Sequence, residues 1–150
     1  MKKILFGLAL VFGAAVLLVG CKKSNVPEGE DVPYVVAKNY FVNGNVEKLD
    51  QPIIDNEAEF ARTFGMATTM GEEGKPTAID WEKQFVIAVV LDEASEYVTI
   101  EPKALLNTKD GLHFRYTVKT GDEISYSKRP CLIVVVDKKY QSRIISIVED

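Results

Sequence analysis

Phe85-Val86-Ile87-Ala88-Val89-Val90-Leu91 is an uninterrupted apolar run rich in β-branched residues. It is too short for an ordinary buried helix and lacks the alternation of a half-exposed strand. It therefore predicts a central strand buried on both faces. Cys131-Leu132-Ile133-Val134-Val135-Val136 has the same character and predicts a second. Between them, Leu112, Phe114, Tyr116 and Val118 alternate with His113, Arg115, Thr117 and Lys119. That period of two predicts a half-exposed antiparallel strand over 112–119. Asn107-Thr-Lys-Asp-Gly111 reads as the turn before it, and 97–100 as the preceding strand, ended or bent by Pro102. Residues 143–148 predict a last strand.

Upstream, 34–42 is β-branched and aromatic and predicts the first strand. Asn43-Gly44 is a strong hairpin signal, because a type I′ turn needs positive φ at both central residues. Its partner strand is expected over 46–54, held to an edge by Pro52. Asn56 with Glu59 three residues on forms a capping-box-like start. Phe60 and Phe64 then share a helical face, and Gly65 is the expected C′ stop. Such a short helix needs a sheet to pack on. The expectation is an α+β fold: a largely antiparallel sheet or sandwich of about seven strands with one short helix. Two long connections interrupt it, 66–78 and 120–130.

The amino end has another logic. Lys2 and Lys3 precede an uncharged apolar run, 4–20, that is short for a bilayer span of about 20 residues. It reads as a secretory signal, residues 1–20. Its end, Leu18-Val19-Gly20-Cys21, resembles a bacterial lipobox, and that resemblance implies cleavage before Cys21 and acylation of its thiol and new amino terminus. Two or more acyl chains give stable membrane anchoring. Residues 21–33, poor in apolar side chains, are expected to be a flexible tether of roughly 20 Å. Residues 34–150 form the single expected domain. The expected location is the cell envelope, lipid-anchored, most simply on the outer membrane.

Without Lys2 and Lys3, the 18 basic residues fall to 16 against 22 acidic ones, a net charge of −6. That balance argues against nucleic acid as a partner. With Cys21 acylated, Cys131 is left without a disulfide partner, and a single histidine cannot assemble a Cys/His zinc site. No metal and no cofactor are expected.

The remaining chemical candidates weigh little. His113 would have to serve any triad or general base, yet it sits on a polar strand face beside Arg115. Cys131 lies near Lys128 and Arg129 but opens an apolar strand, where a thiol acts as a small hydrophobe. Asp92, Glu93 and Glu96, with Asp80, suggest paired carboxylates or calcium ligands, but a solvated acidic turn explains them as well. No Gly-rich phosphate loop is present. An enzyme is not expected.

Binding is what remains, and long connections are where recognition sits. Met66, Thr68, Thr69 and Met70 are the candidates in the first; Ile124, Tyr126 and Arg129 in the second, Tyr and Arg being favoured interface residues. The bland alternative for each is a solvent-exposed connector.

Residues 54–138 resemble the C-terminal domain of the PrcB family, regulatory lipoproteins of a secreted bacterial protease complex. The similar features are Phe60 and Phe64 on a helix, then Ile79-Asp80-Trp81 leading into the 85–91 strand. Pro130 before the 131–136 strand and Lys138-Lys139 after it complete them. Where the family has a Gly-rich turn, this chain has Asp92-Glu93-Ala94-Ser95-Glu96. The resemblance implies a lipid-anchored module that inhibits a protease or regulates a protease complex. The alternative is an envelope assembly lipoprotein that pairs through a sheet edge, such as the first hairpin. The expected partners are a membrane, through the anchor, and a secreted protease or other envelope protein.

Overall fold

The computed structural model describes residues 27–68, 70–142 and 145–150. In chain order the strands are β1 (Glu30–Asp31), β2 (Tyr34–Val36), β3 (Tyr40–Val42), β4 (Ile53–Ile54), β5 (Phe64–Met66), β6 (Gln84–Val90), β7 (Ala94–Thr108), β8 (Gly111–Lys128), β9 (Cys131–Asp137) and β10 (Ile145–Glu149). Helix α1 (Glu57–Thr63) lies between β4 and β5. The fold is α+β and mostly antiparallel, with ten strands among the described residues rather than the about seven expected.

The two apolar runs meet at the centre. β6 and β9 pair antiparallel from Gln84↔Asp137 to Val90↔Cys131. β2 and β4 flank them in the order β2-β9-β6-β4. Alternation then divides their side chains between two cores. Phe85, Ile87, Val89, Leu132, Val134 and Val136 face the second sheet, β1-β7-β8-β10, where they meet Leu105, Leu112, Phe114 and Tyr116. Val86, Ala88, Ile133 and Val135 face the other way, onto Ile54, Phe60 and Phe64. So the central sheet is covered on both faces: by the long β7–β8 sheet on one, by α1 on the other. Phe85, Val86, Ile87 and Val134 are fully buried.

α1 starts as its sequence demands. The Asn56 side chain accepts from Glu59 N–H at 2.9 Å, and its amide donates to the Glu59 carboxylate at 3.2 Å, closing the capping box. Its end differs from expectation. Gly65 is not a left-handed cap; it lies in β5, opposite Phe41. A Cβ at Gly65 would collide with the Phe41 ring, which explains the glycine. Asn43 supplies the cap instead, donating to the carbonyls of Ala61 (3.1 Å) and Arg62 (3.0 Å).

The first hairpin is therefore not formed as expected. Asn43-Gly44 does turn the chain, with Val46 N–H bonded to the Asn43 carbonyl at 3.0 Å. But β3 pairs with β5, not with 46–54, of which only Ile53–Ile54 is a strand. The expected 34–42 strand is also split: Asn39 takes φ 63°, tolerable for Asn, and turns the chain from β2 into β3.

Two further boundaries move. β8 runs to Lys128, so 120–130 is mostly strand, and β7 runs through Pro102 at a register shift. A bulge is where a strand tolerates a residue with no N–H. β10 pairs parallel with β8, from Ile145↔Leu112 to Glu149↔Tyr116. At the amino end, Glu30–Asp31 pairs with Leu106–Asn107, Val32 N–H bonds the Leu105 carbonyl, and Val32 is 4% exposed. The packed body thus begins at Glu30, inside the expected tether, and Val32 links the two sheets. The expected signal 1–20 and Cys21 lie outside the described residues.

Candidate functional site

The loop over 66–78 is built on Asn39. Its left-handed backbone aims its carbonyl at Ala67 N–H, 2.9 Å away. Its side-chain amide donates to the carbonyls of Glu73 (2.7 Å) and Lys75 (2.9 Å). Beside it, Lys38 N–H donates to the Thr77 hydroxyl at 2.9 Å, and Thr77 N–H returns to the Lys38 carbonyl at 3.2 Å. The Tyr40 hydroxyl donates to the Thr77 carbonyl at 2.6 Å. Burial pushes the Tyr40 phenol up, keeping it the neutral donor this bond needs. Both stems are therefore pinned to the short segment 38–40, and the tip stands free. Met70 there is fully exposed, Met66 is 67% exposed, and Thr68 is exposed. Thr69 lies outside the described residues. A 3₁₀ turn, Glu72–Gly74, closes the descending side.

Under this loop lies a cleft of about 380 Å³ between α1, β3 and the segment before β6. Phe60 and Phe64 form its floor, 5.1 Å apart between ring centroids. Tyr40 stands edge-on to Phe60 at 5.1 Å and 87°, and Trp81 lies 5.3 Å from Phe60 at 54°. Met66 and Pro76 from the loop complete the rim, with Glu57 at the helix end. Apolar packing, a few polar groups and a mobile-sized thioether suit the capture of a partner's side chain. Tyr40, Asn39 and Glu57 were not singled out by the sequence, and Trp81 was named only within the Ile79-Asp80-Trp81 stretch of the PrcB resemblance. The sole Trp of the chain was the available signal.

The second candidate segment is a different object. Ile124 and Tyr126 are on β8, half-buried and 60% exposed respectively, in a two-stranded ribbon with β7. Arg129 is a clamp: its guanidinium donates to the Glu47 carbonyl and lies 4.0 Å from the Glu93 carboxylate. It borders a groove of about 560 Å³ with Phe41, Val98 and Ile100. Of the six candidates among the described residues, the cleft takes in only Met66.

Cys131 is half-buried at the start of β9. Burial pushes its pKa up to about 11, against a smaller opposing pull from Lys128, which disfavours the thiolate that nucleophilic attack needs. His113 is half-buried on β8 between Leu106 and Ser146 of the neighbouring strands. Asp92 and Glu93 are exposed between β6 and β7, while Glu96 belongs to β7 and faces Glu123. Among the described residues no cluster of His, Cys, Asp or Glu is arranged to hold a metal, and no helix is long and apolar enough to cross a membrane. Comparison with protein-family models, with curated proteins and with solved structures finds no match.

Proposed function

We propose that this chain is a membrane-anchored, extracytoplasmic lipoprotein whose domain binds another protein, as a protease inhibitor or a regulator of a protease complex. The Leu18-Val19-Gly20-Cys21 motif supports the anchor. The observation that carries the binding half is the loop over 66–78, tied at both stems to 38–40 with Met70 presented at its tip. A loop ordered before contact avoids much of the entropy that binding would otherwise cost. The likeness of 54–138 to the PrcB C-terminal family supports a protease as the partner.

The test is titration of the membrane-extracted protein against a panel of secreted serine and metalloproteases. The expected result is inhibition or a stoichiometric complex with at least one of them, weakened about tenfold or more by Met70→Gly. Absence of any complex and any change in proteolysis across the panel would remove the protease role.

A second reading is favoured by the β7–β8 ribbon. Among the described residues, β1 and Val32 cover β7 only over 105–107, and β10 pairs with β8 only over 112–116. Among the described residues, the outer edges of the ribbon beyond these points carry no paired strand. An envelope assembly partner would add a strand there rather than at the first hairpin. Cross-links from Tyr126, in place of Met70, would identify that case.

A further inference from the structure

We propose that the aromatic cleft receives a cationic side chain, lysine or arginine, from the partner polypeptide. This rests on the cleft and its loop being a recognition site, and names what that site reads. Tyr40, Phe60 and Trp81 line the cleft, with ring planes inclined by 87° between Tyr40 and Phe60 and by 54° between Phe60 and Trp81. Tyr40 and Trp81 are half-buried. An aromatic face carries negative quadrupolar potential and attracts a cation within about 6 Å of its centroid.

Charge points the same way. Among the residues lining the cleft, Glu57 alone is formally charged. Its carboxylate has no hydrogen-bond or ion-pair partner among the described residues. Lys83, the nearest basic residue along the chain to Trp81, is paired with Asp80 at 3.5 Å. Lys138 is turned to the main chain, bonded to the carbonyls of Trp81 and Asp55, and is not part of the lining. A neutral occupant would leave Glu57 without a counter-charge, and an anionic one would be repelled. A long cationic side chain satisfies both halves of the site. Its methylene stem packs on Met66 and Phe64, and its head meets Glu57 and the ring faces.

Trp81 is the sole tryptophan of the chain, so its emission reports occupancy. The full mature protein is titrated with N-acetyl-lysinamide and N-acetyl-argininamide, and with N-acetyl-norleucinamide as the neutral match. The expected result is a saturable change with the cationic amides, at least about fivefold tighter than with norleucinamide and weakened by added salt. Glu57→Gln should weaken it about threefold or more; because Glu57 lies in the first turn of α1, its separate contribution to the helix end is read as a shift in melting temperature. Norleucinamide binding as well as the cations, no effect of Glu57→Gln, or no saturable change would each overturn the proposal. Cationic binding with no protease engaged in the panel would remove the protease role and leave this site standing. The reverse pattern would remove the cation site alone.

Discussion

At the scale of single residues, side chains with little sequence signal do the positioning. Asn43 closes the carboxyl end of α1 with two bonds, to Ala61 and Arg62. Asn43→Ala leaves those carbonyls to water and should cost about 1 kcal/mol in chemical denaturation. Cys131 gives a pH signature. Its folded pKa, about 11, lies above its ordinary value of 9.0, so the folded state holds the proton more tightly. The sign follows: this contribution to stability is complete below about pH 9 and is lost as pH rises toward 11. Cys131→Ser should flatten that alkaline decline, and the native thiol should resist iodoacetamide at pH 8 until the protein unfolds. The Asn56 cap and the buried apolar strand beginning at Phe85 were legible in the sequence because each depends on neighbours within a few positions. Asn39 was not, since its left-handed turn matters only through Glu73 and Lys75, more than thirty residues away. Asn43-Gly44 misled for a related reason: the dipeptide specifies a turn, but the strand that pairs beyond it is chosen by tertiary packing.

At the scale of elements, alternation predicted β8 well where it is half-buried and failed where it leaves the core. Past Val118 the pattern turns polar, which reads as loop, yet β7 supplies the hydrogen bonds and the strand continues to Lys128. Glu96 and Glu123 face each other on that ribbon, an unfavourable like-charge pair. Glu123→Lys should stabilise the protein by about 0.2–1 kcal/mol at low salt, and less at high salt. A ribbon that gains nothing would mean the two strands do not pair there. β1 was missed because two residues carry no periodicity. Its importance lies in Val32, which is buried between the sheets. Val32→Ala should cost about 1–3 kcal/mol in a denaturant titration, whereas substitution in a free tether would cost nothing measurable.

At the scale of the molecule, the apolar runs of two strands, β6 and β9, dictate three layers, and the third layer creates the site. α1 must cover Val86, Ala88, Ile133 and Val135. The helix is too short to cover them alone, so β3, β5 and Trp81 close round it, leaving the aromatic cleft at their junction. The fold class was readable from the apolar runs; the cleft was not, because it joins Tyr40, Phe60 and Trp81 from three separate segments. A recognition loop must be held in place before contact rather than idle in solvent, and the loop over this cleft is pinned to 38–40. Amide hydrogen exchange on the full chain measures this directly. The Ala67 and Thr77 amides, bonded to the Asn39 and Lys38 carbonyls, should exchange at least about tenfold more slowly than the Met70 and Gly71 amides at the tip. Uniformly fast exchange across 66–78 would contradict the account and reduce the loop to a plain connector.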